Sequence, residues 1–134
     1  MPSNTNYYIY LRKEIKMYYK QEIGKSGEAL AAEYLASKGY NIIERNFECW
    51  QGEIDIIALD KNEIVFVEVK TRRNRSYGLA AEAVNDLKKK HLWKAVEYYV
   101  YSRNLQNDFI RIDVIEVYLN RDKVQINHIK KAIE

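Results

Sequence analysis

Apolar and polar positions recur with two different periods along this chain, and the switches between the periods divide it into elements. Over residues 25–38 the run "KSGEALAAEYLASK" is rich in Ala, Leu and Glu, and Gly39 follows where a helix C′ residue belongs, so a helix is predicted there. Residues 40–49 read as a strand. "GEIDIIALD" and "EIVFVEVKTR" read as two more, joined by the turn in "LDKNEI". After a break at Gly78, Val84, Leu87, Leu92, Ala95, Val96 and Tyr99 recur at helical spacing over residues 80–103, with Asn85 or Asp86 placed to cap a new helix. "FIRIDVIEVYL" and "KVQINHI" alternate as two final strands. The order α-β-β-β-α-β-β predicts an α/β domain with a central mixed sheet over residues 23–134. Residues 1–22 read as an N-terminal extension in which Tyr8, Ile9, Leu11, Ile15 and Tyr19 suggest a loosely amphipathic helix.

The two middle strands carry charge where a buried strand should be apolar. A two-residue turn at Lys61-Asn62 pairs Asp60 with Glu63 and, by continuation, Asp55 with Glu68 and Glu53 with Lys70, these last four on one face. Ile57, Leu59, Ile64 and Phe66 complete that face toward the turn, while Ile54, Ile56, Ala58, Val65, Val67 and Val69 make the other wholly apolar. Both faces are therefore covered, and the charges gather at one end of a buried sheet. Facing carboxylates repel, and burial raises the cost by several kcal/mol unless something neutralises them. A salt-bridge network through Lys70 and Arg72 is one resolution. A divalent cation is the other, since Mg²⁺ takes one or two carboxylates plus water and leaves room for a phosphate oxygen, with Lys70 beside it to act on a water.

Composition narrows the setting. The chain has 134 residues, 47% hydrophobic and 31% charged, which suits one globular domain. No apolar run approaches the roughly 20 residues of a membrane helix. Arg12, Lys13, Glu14 and Lys16 interrupt any signal-peptide core, so a cytoplasmic location is expected. Cys49 is the one cysteine, which excludes an internal disulfide and a cysteine-rich zinc site. The net charge of +3 permits nucleic-acid binding without requiring it, and the basic residues cluster in "KTRRNR" and "KKKH".

Glu28 in "GKSGEALAAEYL", then "GEIDIIA", then "VFVEVKTR", followed by "YGLAAEAVNDLKKKHLWKAVEYY" and "IRIDVIEV", resemble the YraN-like family of predicted endonucleases over roughly residue 23 to the end. That family is similar to the archaeal Holliday-junction resolvases of the restriction-endonuclease-like PD-(D/E)XK superfamily. The resemblance implies a restriction-endonuclease-like mixed sheet flanked by helices, with a Mg²⁺ (or Mn²⁺) site at the strand ends. It assigns Asp55 and Glu68 to the metal, Lys70 to the attacking water, and Glu28 to the metal shell directly or through water. Ile54 stands where the motif's name puts proline. Resolvases act as dimers on two-fold symmetric junctions, which makes branched DNA the expected partner and a homodimer an expected form.

Thr71, Arg72, Arg73 and Arg75 leave the strand beside this site and are candidate DNA contacts, as are Lys88 and Lys89 on the second helix, where Lys90 continues the basic run. Asp113 reads as structural, paired with an arginine; His91 and His128 lack partners at ligand spacing and read as ordinary residues. Trp50 and Trp93 could stack on bases, though core packing is the commoner use. Three functions remain in view: a metal-dependent DNA endonuclease, a nucleic-acid-binding module without catalysis, and an interaction protein docking through its tyrosine-rich N-terminus.

Overall fold

The computed structural model describes residues 5–11, 26–72, 86–119 and 123–133. Its elements are β1 (Thr5–Leu11), α1 (Ser26–Ser37), β2 (Asn41–Cys49), β3 (Gly52–Asp60), β4 (Glu63–Arg72), α2 (Asp86–Ser102), β5 (Phe109–Leu119) and β6 (Lys123–Ile133). From residue 26 onward this is the predicted order. Within the N-terminal extension the expected helix is corrected over its first part: Thr5–Leu11 is a strand, paired antiparallel to β6 from Thr5↔Ile129 to Leu11↔Lys123, while Ile15 and Tyr19 lie outside the described residues. Five of the seven residues of its "TNYYIYL" are β-branched or aromatic, side chains that lose rotamer freedom in a helix and suit a pleated surface.

The six strands form one sheet in the order β1-β6-β5-β4-β3-β2. Four neighbouring pairs are antiparallel, and β4 and β5 run parallel from Glu63↔Phe109 to Arg72↔Tyr118. A parallel pair needs a crossover, and α2 lies within it. The β3–β4 turn has the expected length: Asp60 pairs with Glu63, Lys61 takes φ 59°, and the ladder continues to Ile56↔Val67.

A helix covers each face. Leu30, Ala31, Tyr34 and Leu35 of α1 pack on Ile56, Ala58, Val65, Val67, Ile115 and Val117. Leu92, Ala95, Val96 and Tyr99 of α2 pack on Ile54, Ile57, Ile64, Phe66, Ile112 and Val114. Tyr99 meets Phe47 and Phe66 edge-on, with ring centroids 5.1 and 5.6 Å away, contacts worth about 0.5–1.5 kcal/mol each beyond their buried area. Ile54 is thus on the α2 side, not with Ile56 and Ala58 as strict alternation predicts. The pleat is interrupted opposite it at Asn46, whose φ is 55° and which falls between the pairs Arg45↔Ile56 and Phe47↔Ile54. Among the described residues no helix is long and apolar enough to cross a membrane.

Candidate active site

The β3–β4 ladder stops at Ile56↔Val67, one residue short of Asp55 and Glu68. From there β3 stays paired with β2 and β4 with β5, so the two strands part company where the charged residues begin. Asp55 occupies the opening in place of backbone: its Oδ2 accepts the Val69 N–H at 2.8 Å. Asp55 and Glu68 both line a cavity of about 380 Å³, with Gly52, Glu53 and Val69 from the sheet and Lys88, His91 and Leu92 from α2. Glu68 is buried and Asp55 half-buried. Burial first, then the Glu68 charge, pushes the Asp55 carboxyl up to about 7, with Glu28 and Glu53 adding smaller repulsions and the Val69 N–H opposing them.

Two lysines converge on Glu68. Lys70 Nζ lies 3.3 Å and Lys88 Nζ 3.1 Å from Glu68 Oε2. Burial, reinforced by a hydrogen bond with Lys88, holds Lys70 below the usual lysine range. Lys88 is raised, by its hydrogen bond with Lys70 and then by the Glu68 charge, against a desolvation cost. Of the two amines, the buried one gives up its proton more readily and the exposed one keeps it. Lys88 is exposed on α2, and its Nζ nevertheless reaches Glu68 at the end of the sheet. Glu53 does not face Lys70, because the strands have separated there, and pairs across the hairpin with Glu48.

Glu28 stands at the first turn of α1 and does not line this cavity. Its carboxylate lies 3.6 Å from the Arg45 guanidinium, and Oε1 is buried with no hydrogen-bond partner. It is near enough to Asp55 to raise that group's pKa. The helix start is placed by Gly27: a Cβ there would come within 1.8 Å of Thr71 Oγ1, so any side chain would push α1 off the end of β4. Thr71, expected to touch DNA, therefore also sets where Glu28 stands.

The donor set fits a hard divalent cation. Asp55 and Glu68 supply two carboxylates, Glu28 places a third nearby whose buried Oε1 has no hydrogen bond and lies 3.6 Å from the Arg45 guanidinium, and Mg²⁺ or Mn²⁺ asks for one or two carboxylates with water filling the rest. Among the described residues no group of three His, Cys, Asp or Glu converges on one point, so a third carboxylate such as Glu28 would act through water.

The remaining sequence candidates separate. Arg72 is half-buried near the end of β4, Lys89 is exposed on α2, and Arg73 and Arg75 lie outside the described residues. His91 lines the cavity, a position that ligand spacing could not reveal. Trp93 packs against the α2-side core as expected of a tryptophan, whereas Trp50 is 91% exposed in the β2–β3 turn and takes no part in any core. Asp113 is structural: Arg111 Nε donates to Oδ1 at 3.0 Å, His128 Nε2 lies 2.7 Å from Oδ2, and Tyr34 Oη lies 2.8 Å from His128 Nδ1.

Comparison with known proteins adds kinship. The family model described as "Uncharacterised protein family UPF0102" matches residues 27–117, a span that holds Glu28, Asp55, Glu68, Lys70 and Lys88. A UPF0102 protein of Caldanaerobacter subterraneus is 48% identical over 121 residues, 88% of this chain and 99% of the relative. One from Caldicellulosiruptor saccharolyticus is 48% identical over 115 residues, 84% and 98% of the two chains. A third, from Clostridium botulinum, is 47% identical over 120 residues, 87% and 98%.

Proposed function

Because the chain belongs to the UPF0102 family, the YraN-like group related to the PD-(D/E)XK nucleases, we propose that the end of its sheet is the active site of a divalent-metal-dependent DNA endonuclease. The observation that carries this reading is the parting of β3 and β4 around Asp55 and Glu68, which leaves both carboxylates lining one cavity and two lysines, Lys70 and Lys88, meeting on Glu68. A structural ion pair would need neither the second carboxylate nor the opening.

Asp55 and Glu68 would hold the metal, with Glu28 placed to reach it through water. A bound Mg²⁺ or Mn²⁺ supplies Lewis-acid polarisation of a phosphoryl oxygen and acidifies its own water. Asp55 is kept in one rotamer by the Val69 N–H. Lys70 takes the proton of the attacking water, a role suited to an amine whose pKa burial has lowered. Lys88 stays charged beside it and stabilises the negative charge that builds on the phosphate oxygens. Lys89, Arg72 and Thr71, with Arg73 and Arg75 following in the chain, hold the flanking backbone by phosphate contact. By analogy with the resolvases, the substrate is branched DNA in repair or recombination, engaged by two copies of the protein.

A second reading is a binding module without cleavage. It is favoured by the pairing of Glu68 with two lysines within the chain itself and by the lack of a third converging carboxylate among the described residues. Labelled duplex, single-stranded and four-way-junction DNA incubated with Mg²⁺, Mn²⁺ or EDTA decide between the two. The nuclease reading expects metal-dependent cleavage that Glu68→Ala and Lys70→Ala each reduce by at least about 100-fold, the order of a lost acid–base or electrostatic group. Persistent salt-sensitive binding with no cleavage in either metal would leave the binding module standing.

A further inference from the structure

Beside the candidate active site lies a larger hollow that the reading above does not use. It has a volume of about 700 Å³ and runs between the β2–β3 turn, residues 48–53, and the Leu87, Lys90, His91 and Lys94 face of α2. Gly52, Glu53 and His91 line both cavities, so the two adjoin. Three features distinguish it from ordinary surface. Trp50 stands at the turn with 91% of its surface exposed, and Leu87 across the hollow is 64% exposed. Leu87, Lys90, His91 and Lys94 recur at helical spacing and form one stripe, so the hollow has a basic wall. Opposite it, Glu48 and Glu53 are paired across the hairpin and supply an acceptor-rich wall. The turn is also held in place: a Cβ on Gly52 would come within 2.9 Å of the His91 carbonyl oxygen, so the hairpin tip rests directly on α2.

From this juxtaposition we infer that the hollow receives an unpaired stretch of DNA next to the phosphate being cut, with Trp50 stacked on one of its bases. The inference rests on the nuclease reading and narrows it, naming the strand state that the site selects. Lys90 and Lys94 take the backbone phosphates, and Glu48 and Glu53 face the base edges, where carboxylates accept from exocyclic amino groups. A volume of about 700 Å³ lies in the range of clefts that accept a nucleotide-sized ligand, roughly 300–1,000 Å³. A base is available to stack only where it is unpaired, because in a duplex its faces are covered by its neighbours. The hollow therefore favours forks, flaps and junction arms over continuous duplex.

Binding measured in EDTA keeps cleavage out of the test. Fluorescence anisotropy with a labelled duplex and with the same duplex ending in two unpaired arms should give tighter binding of the forked form by the wild-type protein. Trp50→Ala should weaken fork binding about 5- to 150-fold, the span of one lost base stack, leave the duplex unchanged, and be largely rescued by Trp50→Phe. Tryptophan emission provides a second readout: oligothymidylate should quench the wild type and leave Trp50→Phe, which keeps only Trp93, nearly unquenched. Fork affinity unmoved by Trp50→Ala, or lowered equally with duplex affinity, overturns the inference alone. A wild-type protein that binds none of these DNAs overturns the nuclease reading and this inference together.

Discussion

Asp55 and Asp113 stand in the same sheet, each amid other charges, and the protein treats them in opposite ways. Asp113 is fully buried, yet its carboxylate is held below the usual range: burial pushes it up, and hydrogen bonds from His128 and Arg111 with the Arg111 charge more than reverse the push. The Lys131 N–H also donates to it at 3.0 Å. Arg111 in turn reaches Asp60 at 3.1 Å, Glu63 at 2.8 Å and the Tyr40 hydroxyl at 2.7 Å, tying the β3–β4 turn to β5 and the start of β2. Asp55 is less buried but has one backbone N–H and several carboxylate neighbours, and its pKa rises to about 7. A satisfied network specifies structure; an under-satisfied one persists where a ligand from outside completes it.

The contrast is open to attack from the Asp113 side first, where the largest effect is expected. Arg111→Met keeps much of the side-chain volume but strands Asp113, fully buried, without its cation. The expected loss is about 3–5 kcal/mol, read as a lower urea midpoint at unchanged slope. A loss under about 1 kcal/mol would put the network among ordinary surface pairs.

Next in size is the pH dependence, where the two aspartates should pull in opposite directions. A carboxylate raised from 3.8 to about 7 by folding binds its proton more tightly in the native state. Between about pH 4 and 7 the native state then holds a proton that the unfolded chain has lost, so this group makes stability fall as pH rises. Asp113, lowered from 3.8, contributes stability above that value and loses it as pH falls through its folded pKa. Asp55→Asn should accordingly be more stable than wild type by about 1–3 kcal/mol at pH 8, with the difference vanishing near pH 4. Equal stability at both pH values would show that Asp55 bears no burden.

The smallest effect separates two adjacent lysines. Lys88→Met removes an ammonium 3.1 Å from Glu68 and should slow cleavage about tenfold, about 1.4 kcal/mol in the barrier, while shifting the pH–rate profile as Lys70 loses its charged neighbour. Lys89→Met, exposed and one residue on, should leave the profile in place and only soften the salt dependence of binding. Both should alter stability by under about 0.5 kcal/mol. Identical profiles for the two variants would return Lys88 to the surface.

Much of this was legible in the chain. The hairpin turn, its register and the gathering of Asp55, Glu68 and Lys70 at one sheet end follow from the two-residue Lys61-Asn62 turn and the period of a strand, both of which act over a few residues. Asp113 could be read as structural from its alternation with apolar neighbours, but its partner His128, on the next strand, could not. The N-terminal strand was missed because weak periodicity was weighted above the β preference of "TNYYIYL".

The sequence by itself determined which residues carry charge, which faces bury and how β3 meets β4, because pattern and turn length are local properties. The tertiary structure alone decided that β4 and β5 run parallel, that β3 and β4 part at Asp55, that Lys88 joins Glu68, and that Trp50 overhangs a hollow instead of packing inward. Each of these depends on which distant segments become neighbours and on how much water remains between them. Whether a buried carboxylate is satisfied, like Asp113, or left waiting, like Asp55, is set by those distances, and no local pattern records them.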